Sequence, residues 1–315
     1  MSIHPQIKKV LEIAGEVDTS TKNLDPETFR LNHIQTRSKF DYHLEEIQSI
    51  EDITISLPVH KVRIRIYKND MSTDRPLVML FHGGGWVVGD LDSEDTTCRS
   101  IATRTGAVVI SVEYRLSPET GFPGGLEDCY NVMLWAIENC EYLGINPNLI
   151  ATAGTSAGGN LSGAICILSS KKKHPKISHQ ALMCPVIDNN FERKSYKLYG
   201  TGEYGLSMQK MKWFFKQYLG HNQNNKNPLV YLLQNEDLDN LPSATLVVAE
   251  YDCLKDEALE YSTKLSSNGI NVSCKIYDGM NHGFNIHLGH VDAAESAIDH
   301  VSDRINESFY NNRNF

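Results

Sequence analysis

Gly154-Thr155-Ser156-Ala157-Gly158 sets a serine among small residues, between a short apolar run, Leu149–Ala153, and a longer one, Asn160–Leu168. A G-x-S-x-G turn from strand to helix exposes the serine hydroxyl, and the flanking small residues let the backbone turn tightly. A serine is a weak nucleophile at neutral pH. It needs a general base, a group that orients the base, and amide donors for the oxyanion that develops on the substrate. Each has a counterpart in this chain. His82-Gly83-Gly84-Gly85-Trp86 follows the apolar run Leu77–Phe81, and its glycine amides are open to a carbonyl oxygen. Asp252 follows the apolar run Thr245–Ala249, and His282 lies in Asp278-Gly279-Met280-Asn281-His282-Gly283-Phe284, after the run Val272–Tyr277. The chemistry these residues permit is acyl transfer, with Ser156 as nucleophile, His282 as base and Asp252 holding the imidazole. His82 is read as an anchor of its loop, and Asp256 and Glu257 as first-turn helix acids favoured by the helix dipole.

The elements that must position these residues alternate from about residue 61 onward. Val62, Ile64 and Ile66 alternate with Arg63 and Arg65, as in a half-exposed strand near a sheet edge. Leu77–Phe81, Ala107–Val112, Leu149–Ala153, Ala181–Cys184, Thr245–Ala249 and Val272–Tyr277 read as buried strands bounded by Gly, Pro or Asn. Helices are expected between them at 94–105, 126–140, 157–169, 256–267 and 293–305. This is an α/β pattern: a mostly parallel central sheet with helices on both faces. The order Ser156, Asp252, His282 is that of an α/β-hydrolase fold. Two regions break the alternation. Residues 1–50 read as wholly helical, and 188–240 carry an aromatic-rich helix, Met208–Leu219, followed by an Asn-rich loop, Asn222–Asn227. Both are expected to form a helical cap over the carboxyl edge of the sheet, where open α/β folds bind ligands. The domain reading is therefore cap at 1–50 and 188–240, and core at 51–187 and 241–315.

Composition narrows the partners. Thirty Lys and Arg against 39 Asp and Glu give a formal charge of −9, which repels polyanions and argues against nucleic-acid binding. The single basic run, Lys171-Lys172-Lys173-His174, suits a solvated helix end. The apolar runs are strand-sized, so no membrane span is expected. Met1–Gly15 mixes Ile3, Ile7, Val10 and Leu11 with charges, as an amphipathic helix does and a signal peptide does not. The seven cysteines are scattered, mostly in apolar segments, and form no C-x-x-C pair; reduced thiols and a cytoplasmic location are expected.

Taken with these segments, Tyr114-Arg115-Leu116-Ser117-Pro118-Glu119, Phe122-Pro123 with Leu126-Glu127-Asp128, and Tyr251-Asp252-Cys253-Leu254-Lys255-Asp256-Glu257 extend the likeness over most of the chain. The sequence closely resembles the bacterial hormone-sensitive-lipase-like esterases of the α/β-hydrolase superfamily, whose corresponding motifs read YRLAPE and YDPLRDE. The resemblance implies hydrolysis of short- to medium-chain acyl esters without metal or cofactor. It implies an oxyanion hole from the amides of Gly84, Gly85 and Ala157, and a cap whose stretch Leu206–Phe215 lines the pocket. Thr155 stands where many members carry Asp and matches a branch with Thr, so substrate preference does not carry over from the Asp branch. Cys253 replaces a proline, which loosens the loop of Asp252. An amidase or N-deacylase would use the same residues, and a non-catalytic ligand-binding relative is the reading from a different class. The strand Val272–Tyr277, if at a sheet edge, offers a homodimer contact across a two-fold axis.

Overall fold

Short runs of β-branched and aliphatic residues with no polar alternation, bounded by turn residues, suit strands covered on both faces, and the structure, a computed structural model, bears this out. It describes residues 2–15, 24–42, 44–221 and 226–313. Residues 222–225 of the expected Asn-rich loop, and 16–23 and 43 of the expected helical segment, lie outside the described residues. In chain order the elements are α1 (Pro5–Ala14), α2 (Pro26–Arg37), β1 (Ser49–Ser56), β2 (Lys61–Lys68), β3 (Arg75–Phe81), α3 (Asp95–Thr105), β4 (Val108–Val112), α4 (Gly124–Glu138), α5 (Cys140–Leu143), β5 (Ile145–Thr155), α6 (Ala157–Lys172), β6 (His179–Met183), α7 (Lys194–Tyr199), α8 (Met208–Leu219), β7 (Ser243–Tyr251), α9 (Lys255–Ser267), β8 (Val272–Asn281) and α10 (Asp292–Arg313).

One eight-stranded sheet runs in the order β1-β2-β4-β3-β5-β6-β7-β8. β2 pairs antiparallel with β1 and β4, and all later pairings are parallel. The parallel strands therefore end at one edge, which collects the loops after β3, β5, β7 and β8. The inner strands split their side chains between two cores. Leu77, Met79 and Phe81 of β3 face a core shared with α4, α6, α8 and α9, while Val78 and Leu80 face one shared with α1, α3 and α10. β3 from Leu77 to Phe81 and the whole of β4 are buried for this reason.

Two expectations need correction. The first fifty residues are not wholly helical: after α2 the described residues 38–42 and 44–48 are irregular, and β1 begins at Ser49. β1 is an edge strand paired on one side only, with most of its residues exposed or half-exposed, so its sequence carries no strong apolar stripe. β5 also starts earlier than its apolar run, at Ile145, because Ile145 pairs with Arg75 before an irregularity in the ladder. Among the described residues no helix is long and apolar enough to cross a membrane.

Candidate active site

Ser156 follows β5 directly and has φ 59° and ψ −115°, a left-handed backbone that a non-glycine residue adopts only under local constraint. The constraint is close packing. A Cβ on Gly158 would sit 1.9 Å from the Phe81 carbonyl oxygen, and one on Gly154 would sit 2.4 Å from the Gly158 backbone. The turn therefore requires glycine at both places. The Ser156 amide donates to the Met183 carbonyl at 2.8 Å, tying the turn to β6.

His282 and Asp252 come to Ser156 from the ends of β8 and β7. The Ser156 hydroxyl lies 3.0 Å from His282 Nε2, and His282 Nδ1 lies 2.8 Å from Asp252 Oδ2. Asp252 is almost wholly buried, and its other oxygen, Oδ1, accepts the Leu254 amide at 2.9 Å. Geometry of this kind fixes the imidazole tautomer: Nδ1–H faces the carboxylate, and the bare Nε2 faces the hydroxyl. The loosening expected from Cys253 is offset, since the Cys253 carbonyl accepts the Ser195 hydroxyl at 2.7 Å.

The glycine loop after β3 lies beside the serine. Gly84 and Gly85 have φ of 104° and 59°, and the loop closes on itself through Val87 and Val88 amides donated to the Gly84 carbonyl. Among the described residues, the amides of Gly84, Gly85 and Ala157 have no acceptor. His82 is the anchor expected of it. Its ring is buried, stacks on Tyr114 at 4.2 Å, and places Nδ1 2.7 Å from the Gly83 carbonyl; burial pulls its pKa down to about 4. The Tyr114 hydroxyl donates to the His82 carbonyl at 2.9 Å, and Arg115 grips the buried Asp128 through its backbone amide and guanidinium. The Tyr-Arg-Leu-Ser-Pro-Glu segment thus supports the glycine loop from below.

Above the loop lie α2 and α8. Trp86 stacks on Tyr218 at 4.2 Å, and the Phe214 ring packs so tightly on Gly85 that a Cβ there would come within 2.2 Å of it. Phe29 of α2 meets Trp213 and Phe214 edge-on or tilted at 5.5 and 5.7 Å. Arg30, one residue on, donates to Glu119, the Ser117 carbonyl and the Val87 carbonyl, pinning α2 to the loop and to the Pro118 segment. Asn160, on the first turn of α6, donates to the carbonyls of Val186, just before the 188–240 segment, and of Val230 within it.

Two neighbours of the site, Asn285 and Glu94, were not singled out from the sequence, and a third does more than its expected part. Glu257 lies in the first turn of α9 as expected, but it is buried: its Oε1 accepts the Ile187 and Asp188 amides at 2.8 and 3.3 Å, and burial lifts its carboxyl to about 8. Asn285 donates to the Thr155 hydroxyl at 2.9 Å. Glu94, just before α3, is buried against Thr155 and Gly83. Nothing in their local sequence distinguishes them from ordinary loop and helix-start polar residues. Among the described residues, the group with metal-ligand spacing is Cys184, Asp252 and His282, with ligand atoms within 4.8 Å of one another. Asp252 and His282 already bond to each other there, so an ion would displace that bond. A separate cavity of about 640 Å³, lined by Cys166, Lys173, Ile177, Leu241 and Pro242, lies by the amino ends of β6 and β7, away from Ser156.

Residues 78–286 match the sequence model of a family described as alpha/beta hydrolase fold. An arylesterase of Saccharolobus solfataricus is 32% identical over 287 residues, covering 90% of this chain and 92% of that protein. An ethyl acetate hydrolase of Pseudomonas putida is 29% identical over 295 residues, covering 90% and 92%. Among solved structures, a hyperthermophilic esterase from the archaeon Pyrobaculum calidifontis superposes with a TM-score of 0.90 at 31% identity, covering 98% of this chain and 99% of that one.

Proposed function

We propose that this chain, which belongs to the alpha/beta hydrolase fold family and is a carboxylic-ester hydrolase, cleaves short- to medium-chain acyl esters through Ser156, His282 and Asp252. The observation that carries the reading is the unbroken chain from the Ser156 hydroxyl to His282 at 3.0 Å and on to Asp252 at 2.8 Å, mounted on a strained serine. His282 Nε2 takes the hydroxyl proton as Ser156 Oγ attacks the ester carbonyl. Asp252 stabilises the imidazolium without itself being protonated. Negative charge moves to the carbonyl oxygen, which the free amides of Gly84, Gly85 and Ala157 receive; losing one such donor costs about 3 kcal/mol of transition-state stabilisation. His282 returns the proton to the departing alcohol, leaving an acyl-Ser156 ester. Water enters and repeats the sequence with His282 as base, releasing the acid. None of these steps calls for a metal or cofactor.

Residues 1–50 and 188–240, less Ser49 and Ile50 of β1, are assigned to a cap over a core of 51–187 and 241–315. The support is the seating of α2 and α8 on the glycine loop through Phe29, Arg30, Phe214 and Tyr218. Phe214 over Gly85 limits the length of acyl chain that the loop can receive, and one relative is named for ethyl acetate, a short ester. The seven free cysteines suit a reducing compartment, and a cytoplasmic location belongs to the proposal; recovery from a secreted fraction would overturn that part. So does a homodimer through β8, an edge strand, which a monomeric mass in solution would overturn.

The test is Ser156→Ala assayed on 4-nitrophenyl esters from acetyl to dodecanoyl, beside the matched anilides. Turnover should collapse with the melting temperature unchanged, and the wild type should peak at short or medium esters. Residual turnover near wild type refutes the nucleophile. A maximum at dodecanoyl refutes the chain-length range, and anilide rates above ester rates make the protein an amidase.

A further inference from the structure

Glu94 occupies the position that caps α3, yet its side chain makes no capping bond there. The carboxyl instead turns inward and is 2% exposed. It faces the Thr155 hydroxyl and the Gly83 amide, while its Oε2 and the nearby Thr97 hydroxyl are buried without a hydrogen-bond partner among the described residues. Each of those neighbours matters by position. Thr155 immediately precedes Ser156, and its hydroxyl also accepts the Asn285 amide at 2.9 Å. Asn285 is in the short helical turn that follows His282. Gly83 immediately precedes Gly84, and a Cβ on it would lie 3.0 Å from the Thr155 carbonyl oxygen and 3.6 Å from Ser156 Cβ. Glu94 therefore sits where three segments meet: the loop of the base, the turn of the nucleophile and the loop of the oxyanion donors.

A buried carboxylate facing only neutral donors is costly to keep. The titratable side chains that sense its charge are Cys98 on α3, Tyr42 in the segment after α2 and Tyr114 after β4, and burial raises the pKa of all three, so none supplies a positive charge. A hydroxyl and an amide partly offset the cost, and burial still lifts the carboxyl to about 7. A leucine or methionine would fill the space without that cost; what it would not do is hold an amide and a hydroxyl belonging to two catalytic loops. We infer that Glu94 is a positioning residue, whose ionised carboxylate clamps Gly83 to Thr155 and so holds the Gly84 and Gly85 amides in register with Ser156. This rests on the esterase reading given above. Glu94 touches neither substrate nor the reacting atoms; its effect reaches them through Gly83 and Thr155.

The experiment compares Glu94→Ala, Glu94→Gln and Ser156→Ala in the full chain, with kcat and KM for 4-nitrophenyl acetate measured from pH 5.5 to 9 and Tm measured at each pH. The alanine variant should lose about 10- to 100-fold in kcat, the range for losing hydrogen bonds to a charged group, with KM within about threefold of wild type. Glutamine keeps an oxygen for the Gly83 amide and should recover most of that loss at pH 8. Its Tm at pH 8.5 should equal or exceed that of wild type, since a buried charge has gone; a merely structural residue would lose Tm. Wild-type kcat should fall more steeply towards acid than that of the glutamine variant, because only the wild type has a Glu94 carboxyl to protonate. An alanine variant within twofold of wild-type kcat overturns the inference, as does a loss that glutamine fails to recover and that follows a fall in Tm. Should the alanine variant not fold, the glutamine variant decides alone: an acid limb as steep as wild type overturns the inference. The two readings fail separately. Turnover by Ser156→Ala would sink the esterase mechanism, whereas an inactive Ser156→Ala beside a fully active Glu94→Ala would sink only the role of Glu94.

Discussion

Phe214 sets a quantitative expectation for acyl selectivity. Its ring is 95% buried and packed on Gly85, one of the two loop glycines whose amides are free, and it is held from the other side by Phe29 and Trp213. On the proposed mechanism, an acyl chain attached to a carbonyl bound at that loop would meet this ring. Phe214→Ala removes six ring carbons, which makes room for roughly four methylenes, and each methylene buried there is worth about 0.8 kcal/mol, or fourfold in kcat/KM. Full use of the space would favour longer chains by over a hundredfold. Incomplete filling reduces that, so the ratio of octanoyl to butanoyl kcat/KM is expected to rise at least about tenfold. Truncating a buried phenylalanine costs about 3–5 kcal/mol of stability, so Phe214→Leu, which should shift the ratio less at a smaller cost, accompanies it. The assay is initial rates on 4-nitrophenyl esters of even chain length, with Tm recorded for each variant. A ratio within twofold of wild type in a folded Phe214→Ala protein would refute the placement of the acyl chain against Phe214.

Asp252→Asn should lower kcat about 10⁴-fold with little change in KM, because the amide lets His282 adopt the wrong tautomer; rates on 4-nitrophenyl acetate check this, and a loss under tenfold would point to another acid. Glu257→Gln tests the buried acid at the entry to the 188–240 segment. The folded carboxyl titrates at about 8 against an ordinary value of 4.5, so the folded state holds an extra proton between those values and wild-type stability falls as pH rises through that window. The glutamine keeps an oxygen for the Ile187 and Asp188 amides and does not titrate. Its stability relative to wild type should improve from pH 5 to pH 9 by on the order of 3 kcal/mol in urea unfolding, and a difference independent of pH would contradict the assignment.

What could be read from the chain beforehand was whatever local covalent structure dictates. The Ser156 turn needs small residues at 154 and 158 because backbone passes within van der Waals contact of both, so the need is written into adjacent positions. Uninterrupted apolar runs such as Leu77–Phe81 announce strands covered on two faces, and the loops after them bring Gly84, Ser156, Asp252 and His282 to one edge. β1 stayed hidden because an exposed edge strand needs no apolar stripe. Glu94 and Glu257 stayed hidden for a different reason. Each begins a helix beside another acid, where the dipole alone accounts for a carboxylate, and only tertiary packing turns these two inward. Asn285 likewise reads as a loop polar residue until β5 and the turn after β8 are brought together.

The most direct test of the account is covalent labelling of the folded protein with a fluorophosphonate, followed by intact mass and peptide mapping. The mechanism predicts one label per chain, on Ser156, with loss of ester hydrolysis in proportion to labelling, and no label on the folded Ser156→Ala or His282→Ala proteins. Label on another residue, or hydrolysis that survives complete modification of Ser156, would contradict it.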